Sequence, residues 1–135
     1  MAHLDFCAPS TVGKKFQEQF HFSQSVRIGD RIETSGHGGS NRETGKLPES
    51  VSAQIAGAFR NIQGALIDAG GEGWNQVYQV RSYHVNMNLE AAKLMVVCLR
   101  KWCPDHKPLW TAVGVDKLAG PGMKVMIEVV AHSEK

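Results

Sequence analysis

A single carboxylate stands inside an otherwise apolar run near the end of the chain. Glu128 lies between Met126-Ile127 and Val129-Val130. Strand alternation puts Val125, Ile127 and Val129 on one face and Met126, Glu128 and Val130 on the other. With both faces apolar, Glu128 is either a solvated strand residue or an acid placed for proton transfer. His37 follows Gly36 in the segment GHGGS and is read as a candidate acid or ligand contact, or else as an exposed loop histidine. Gly36, Gly38 and Gly39 would let backbone N–H groups approach a ligand. Further along, Arg81 and Tyr83 share one strand face and Ser82 and His84 the other. The six histidines form no HExxH or Cys/His cluster, so no metal and no cofactor is expected. Three cysteines, an odd number, suit free thiols in a reducing compartment better than a disulfide framework.

These residues need elements to hold them. The spacing predicts a first hairpin from Phe20–Val26 and Arg31–Ser35 around Gly29-Asp30. A glycine-rich segment over 36–48 follows. A long helix is expected next, capped by Ser50, striped by Val51, Ile55, Phe59, Ile62 and Leu66, and stopped at Ala69-Gly70-Gly71. A third strand over Val77–Val85 precedes a second helix from Leu89 to about Trp102, capped by Asn86 or Asn88 and ended by Pro104. The all-round apolar run Leu94–Leu99 predicts burial on more than one side. Two strands, Trp110–Val115 and Lys124–Ala131, close the chain, and residues 1–19 read as an arm or a first strand. Strand, strand, helix, strand, helix, strand, strand makes one α+β domain over 1–135, with two helices on one face of a mixed sheet. The other face, apolar in part, calls for oligomerisation.

Composition bounds the function. With 42% hydrophobic and 21% charged residues the chain is an ordinary globular one. Its net charge of +2 is scattered, too little for a phosphate-tracking stripe, so nucleic acid is not the expected partner. No run reaches the roughly 20 apolar residues of a membrane span, and no signal peptide is evident at the N-terminus. A cytoplasmic location is the expectation.

The segments GDRIETSG (29–36), NRETGKLP (41–48), QIAGAFRNIQGALIDAGG (54–71), KPLWTAVGV (107–115) and KVMIEVVA (124–131) together resemble the Rid family, also called YjgF/YER057c/UK114. The resemblance runs from about Phe20 to Ala131. It implies a chorismate-mutase-like fold, a homotrimer whose sheets form a central barrel, and small-molecule clefts between subunits. It also implies hydrolysis of imines and enamines such as 2-aminoacrylate, or, from older names in the family, endoribonuclease activity. Deaminases of the family carry an arginine in a Pro-x-Arg pattern that forks onto the substrate carboxylate. Here the pattern reads Pro108-Leu109-Trp110, and Trp110 takes the arginine's place. Phe22 matches the family's first-strand tyrosine without its hydroxyl. Lys93 matches a helix asparagine and Ala112 a pocket cysteine, while Glu128 is the retained acid. These departures imply an arginine-lacking subgroup whose cleft favours planar, aromatic or cationic ligands. The leading expectation is an imine or enamine hydrolase of altered specificity; a non-catalytic ligand-binding trimer is the alternative.

Overall fold

Glu128 needs a strand in mid-sheet, and the chain supplies one. In the computed structural model, which describes residues 3–134, the last strand β6 (Val125–His132) lies between β3 (Arg31–Thr34) and β4 (Val77–Val85). The six-stranded sheet has the order β1-β2-β3-β6-β4-β5, with β1 at Asp5–Cys7, β2 at Ser25–Ile28 and β5 at Leu109–Val115. Only β4 and β5 run parallel; the crossover between them is helix α3 (Leu89–Trp102). The mixed α+β sheet is therefore as expected.

Helix α2 (Val51–Asp68) covers the sheet because its apolar residues repeat at helical spacing. Ile55, Phe59, Ile62 and Leu66 are fully buried, against Ile32, Val80, Val125, Ile127, Val129 and Ala131 of the sheet. Each such side chain contributes about 1.5–3 kcal/mol on leaving water. The Ser50 hydroxyl accepts from Ala53 N at 3.1 Å, the expected N-cap. Trp74 stacks on Phe59 with ring centroids 4.5 Å apart and donates its indole N–H to the Phe59 carbonyl. Buried Gln54 donates to the carbonyls of Pro48 and Gly122 and accepts from Lys124 N, tying both flanking loops to α2.

The structure corrects three expectations. Three helices are present, because α1 (Thr11–Phe20) occupies part of the segment read as an arm or first strand. Its signal was weak because it buries only Gly13, although Ser10 caps it at Gly13 N. The first strand of the expected hairpin starts at Ser25, not Phe20: Phe20 ends α1 and His21 stops it in the left-handed region at φ 60°. Helix α3 is not buried on more than one side; Ala91 and Met95 are buried while Val97 stays 62% exposed. The glycine-rich segment after Gly36 is a packed joint. A Cβ at Gly39 would lie 2.3 Å from the Gln54 carbonyl oxygen, and one at Gly57 2.6 Å from that of Gly39. Loop and helix backbones approach too closely for side chains there.

Candidate functional site

Strand register decides which side chains meet. Glu128 faces Arg81 across β6 and β4, Met126 faces Tyr83, and Val130 faces Gln79. These six share the sheet face away from α2, together with Glu33 and Val26 further along. No described helix covers this face at Glu128. The Tyr83 hydroxyl donates to Glu128 Oε1 at 2.7 Å across the two strands. A charge-assisted bond of this kind is worth about 1.5–3 kcal/mol where solvent is excluded, and less on this half-buried surface. It pushes the Tyr83 phenol above its usual ionisation range, since losing the proton would set two anions side by side. The Arg81 guanidinium turns to Gln79, whose amide oxygen, oriented towards it, accepts from Nη1 at 2.8 Å and Nη2 at 3.0 Å. Among the described residues Glu128 makes no ion pair. The result is a half-buried carboxylate with one oxygen held by a phenol and the other unengaged.

Trp110 lies on the opposite face. It is in register with Val80, and its indole N–H donates to Ser82 Oγ at 2.9 Å. Ser82 is fully buried and its Oγ also lies 2.8 Å from His84 Nε2. Burial lowers the His84 pKa, so the ring is neutral in a Trp110–Ser82–His84 chain packed beneath the helices. Trp110 also forms part of the wall of a cleft between β5 and the C-terminal end of α3, beside Arg100, His106 and Lys107. Ala112, two residues on, is exposed on the same edge strand.

Phe22 stands at the other end of the sheet. Its ring stacks on Phe16 with centroids 5.4 Å apart and forms a wall of a pocket of about 450 Å³ with Phe6, Val26 and Glu33. Gly36 packs under Met126, whose sulfur would meet an added Cβ at 2.4 Å. The side chain over this loop is therefore Met126, on the same face as Glu128 but two residues earlier. His37 is not an exposed loop residue. It is 7% exposed and exchanges backbone hydrogen bonds with Ile127, at 2.7 and 2.9 Å. Its Nδ1–H donates to the Ser35 carbonyl, leaving Nε2 buried without a partner. Burial drives its pKa down to about 4, so at neutral pH the ring has no acidic proton to give beyond the engaged one. Lys93 is exposed on α3.

Within the chain the candidate residues thus lie apart: Glu128 in mid-sheet, Trp110 and Ala112 at the β5 edge, Phe22 towards β2 and β3, Gly36 and His37 against β6, and Lys93 on the surface of α3. Sequence reasoning missed Tyr83 as the partner of Glu128 and Ser82 as that of Trp110. The alternation of β4 placed Tyr83 and Ser82 on opposite faces, but only the pairing of distant strands supplies their partners. Among the described residues no His, Cys, Asp and Glu cluster could hold a metal.

Comparison with known proteins gives the same architecture. The model of the family described as Endoribonuclease L-PSP matches residues 13–133. The RutC family protein YjgH of Escherichia coli (strain K12) is 30% identical over 109 residues, covering 81% of this chain and 82% of that protein. Rv2704 of Mycobacterium tuberculosis, described as a member of the YjgF/YER057c/UK114 family, superposes with a TM-score of 0.78 at 25% identity, over 96% of this chain and 98% of its own. RidA of an Antarctic Psychrobacter gives 0.74 at 28% identity, over 82% and 87%. The order of elements, the mixed sheet and a match across nearly the whole chain place this protein in the YjgF/YER057c/UK114 family, the group also described as Endoribonuclease L-PSP.

Proposed function

We propose that the protein hydrolyses an imine or enamine to a carbonyl compound and ammonia, on a ligand larger and flatter than 2-aminoacrylate. The observation that carries this reading is the Glu128 carboxylate, set in mid-sheet with one oxygen fixed by Tyr83 and no ion pair among the described residues. In this role the unengaged oxygen takes a proton from water as that water attacks the C=N carbon. That proton passes to nitrogen to give a carbinolamine; the carboxylate then carries the hydroxyl proton to nitrogen, and the C–N bond breaks as ammonia leaves and the C=O bond forms. Tyr83 holds the carboxylate in place by donating to it.

Specificity follows from Trp110. An indole held by Ser82 offers a flat face and no guanidinium fork, so a substrate carboxylate loses its bidentate anchor. Glu128 and Trp110 lie on opposite faces of the same sheet, which favours a site assembled from two protomers of a homotrimer over a site within one chain. The uncovered face around Met126, Val130 and Val113 suits that assembly. A second reading, a ligand-binding trimer without turnover, draws support from Tyr83: its phenol already occupies one oxygen of the acid that would act as base. Ribonuclease activity has less support, since no cluster that would activate a 2′-hydroxyl and bind phosphate stands out among these groups.

The test is ammonia release from freshly generated 2-aminoacrylate and from an aromatic imine, with an arginine-containing relative as control. Turnover of the aromatic imine alone, abolished in Glu128→Gln, supports hydrolysis. Binding without turnover of either supports the second reading, and robust turnover of 2-aminoacrylate overturns the specificity argument. Trp110→Arg is expected to gain 2-aminoacrylate activity if the missing anchor is the cause.

A further inference from the structure

A second cleft runs between α2 and the loop over residues 40–48, apart from every residue placed above. The loop winds around Asn41. Asn41 N donates to the Lys46 carbonyl and Gly45 N to that of Asn41, while the Asn41 Oδ1 accepts from Glu43 N at 2.9 Å and Thr44 N at 3.0 Å. Gly45, at φ 78°, makes the left-handed turn that closes it. From the other side, Asn61 of α2 gives both amide hydrogens to the loop, to the carbonyls of Gly38 and Ser40 at 2.8 and 2.7 Å. Loop and helix are thereby fixed to each other, with a cleft of about 660 Å³ between them. It opens on the helix side of the sheet, away from the face where assembly is expected.

Its polar groups sort by what they have left to offer. Four charged side chains line the cleft: Arg42, Glu43, Lys46 and Arg60. Two of them are engaged by groups outside it. Arg42 donates to the Asp68 carboxylate, and Glu43 Oε2 accepts from the Thr11 hydroxyl of α1. Lys46 and Arg60 are exposed, and among the described residues neither has an ion-pair partner. One stands on the loop wall and the other on the helix wall, so two like charges flank one space and raise the potential within it. The turn meanwhile consumes oxygens and leaves donors. Asn41 Oδ1 takes two N–H groups and Thr44 Oγ1 accepts from Lys46 N at 3.2 Å. The Asn41 amide N–H groups and the Ser40 and Thr44 hydroxyl hydrogens have no acceptor among the described residues. The open side-chain acceptors are Glu43 Oε1 and Asn61 Oδ1. No aromatic ring lines the cleft. Two free cations and a surplus of donors therefore select a small, hydrophilic anion.

We infer that this cleft binds a small phosphate monoester, with the phosphoryl group between Lys46 and Arg60 and the rest of the ligand against Asn41, Ser40 and Thr44. Lysine brings a point charge and arginine a planar fork, a combination suited to a tetrahedral oxyanion. A phosphate monoester carries close to two negative charges above its second pKa of about 6, so it engages both cations at once. A single carboxylate engages only one. Glu43 sets the limit, since its second oxygen repels the ligand and keeps the affinity modest. The inference stands apart from the proposed hydrolysis, because neither Glu128 nor Trp110 takes part in it.

Three probes of similar size and falling charge decide it: glycerol 3-phosphate, glycerate and glycerol. They are titrated at constant ionic strength and at about pH 8, where imidazoles are neutral. Binding is followed by amide shifts of residues 40–48 and 57–61. Glycerol 3-phosphate is expected to bind most tightly and glycerol least. Lys46→Gln and Arg60→Gln should each weaken glycerol 3-phosphate by roughly two- to fivefold, the scale of a solvent-exposed charge pair. Glu43→Gln, which can still accept from Thr11, should tighten it by a similar factor. Lys117→Gln removes the same charge from an exposed residue outside the cleft and should change nothing. All four side chains are exposed, so the variants keep the fold. Glycerol binding as tightly as its phosphate, no shift with any probe, Lys117→Gln weakening binding as much as Lys46→Gln and Arg60→Gln, or Glu43→Gln failing to tighten it would each overturn the inference. Imine turnover is read in a separate assay, so the two proposals stand or fall independently.

Discussion

The Tyr83–Glu128 hydrogen bond joins two side chains 45 positions apart, and the carboxylate holds the phenol's proton on. Because the phenol's folded pKa is raised, its contribution to stability is complete below the ordinary tyrosine range of about 10 and is lost as pH climbs through the raised value. Ultraviolet titration should show one of the two tyrosines ionising late, and Glu128→Gln should return it towards its partner. His37 acts in the opposite direction. Its folded pKa of about 4 lies below the unfolded value near 6.5, so the unfolded chain binds the extra proton between those limits. Stability is therefore full above about 6.5 and falls as pH drops towards 4, with about 2 kcal/mol lost by pH 5. Buried His84, lowered by the same cause, adds in the same direction. Urea midpoints at pH 7 and pH 5 check this, and His37→Asn should flatten the difference. The sequence held the residues of both devices but not their partners: GHGGS reads as an open loop until Ile127 is known to exchange backbone bonds with His37.

At the scale of elements, the joint between the 36–39 segment and α2 makes a sharp prediction. In Gly39→Ala the new methyl would press on the backbone of Gln54, which cannot swing aside as a side chain would. A cost of about 2–3 kcal/mol in chemical denaturation is expected, at the upper end of overpacking effects. Ser10→Ala, which removes the α1 cap at Gly13 N, should cost about 1 kcal/mol. The contrast between α1 and α2 explains what was legible. Helix α2 announces itself through a serine cap, a stripe of four buried apolar residues and a glycine stop. Helix α1 has the cap but no buried stripe, so periodicity passes over it and the aromatic spacing of Phe20 and Phe22 imitates a strand. The alternation of β6 was readable residue by residue, with Val125, Ile127 and Val129 buried and Glu128 on the opposite face. That the same face carries Arg81 and Tyr83 beside it depends on strand pairing across more than 40 positions, which no local pattern encodes.

For the whole molecule, the uncovered face is where assembly is expected. Val113, 38% exposed on β5, shares the face of Tyr83 and Met126. Val113→Asp should shift the sedimenting species from trimer towards monomer while the far-ultraviolet spectrum is preserved. A wild-type monomer would sink the two-protomer site. The proposed site belongs to this scale, since a sheet that separates Glu128 from Trp110 would need a second copy to bring both groups into one cleft.

The sheet order also governs how the chain can be made. Strand β6 is the last strand in sequence yet sits in the middle, pairing β3 on one side and β4 on the other. Until it arrives, β1-β2-β3 and β4-β5 are separate ribbons, each with an open edge along which another nascent chain could pair. On the ribosome, therefore, neither half can be sealed while the closing segment is still in the exit tunnel. A transcript that stops short of Val125 should yield not a smaller domain but two mismatched ribbons, destined for aggregation or for proteolysis.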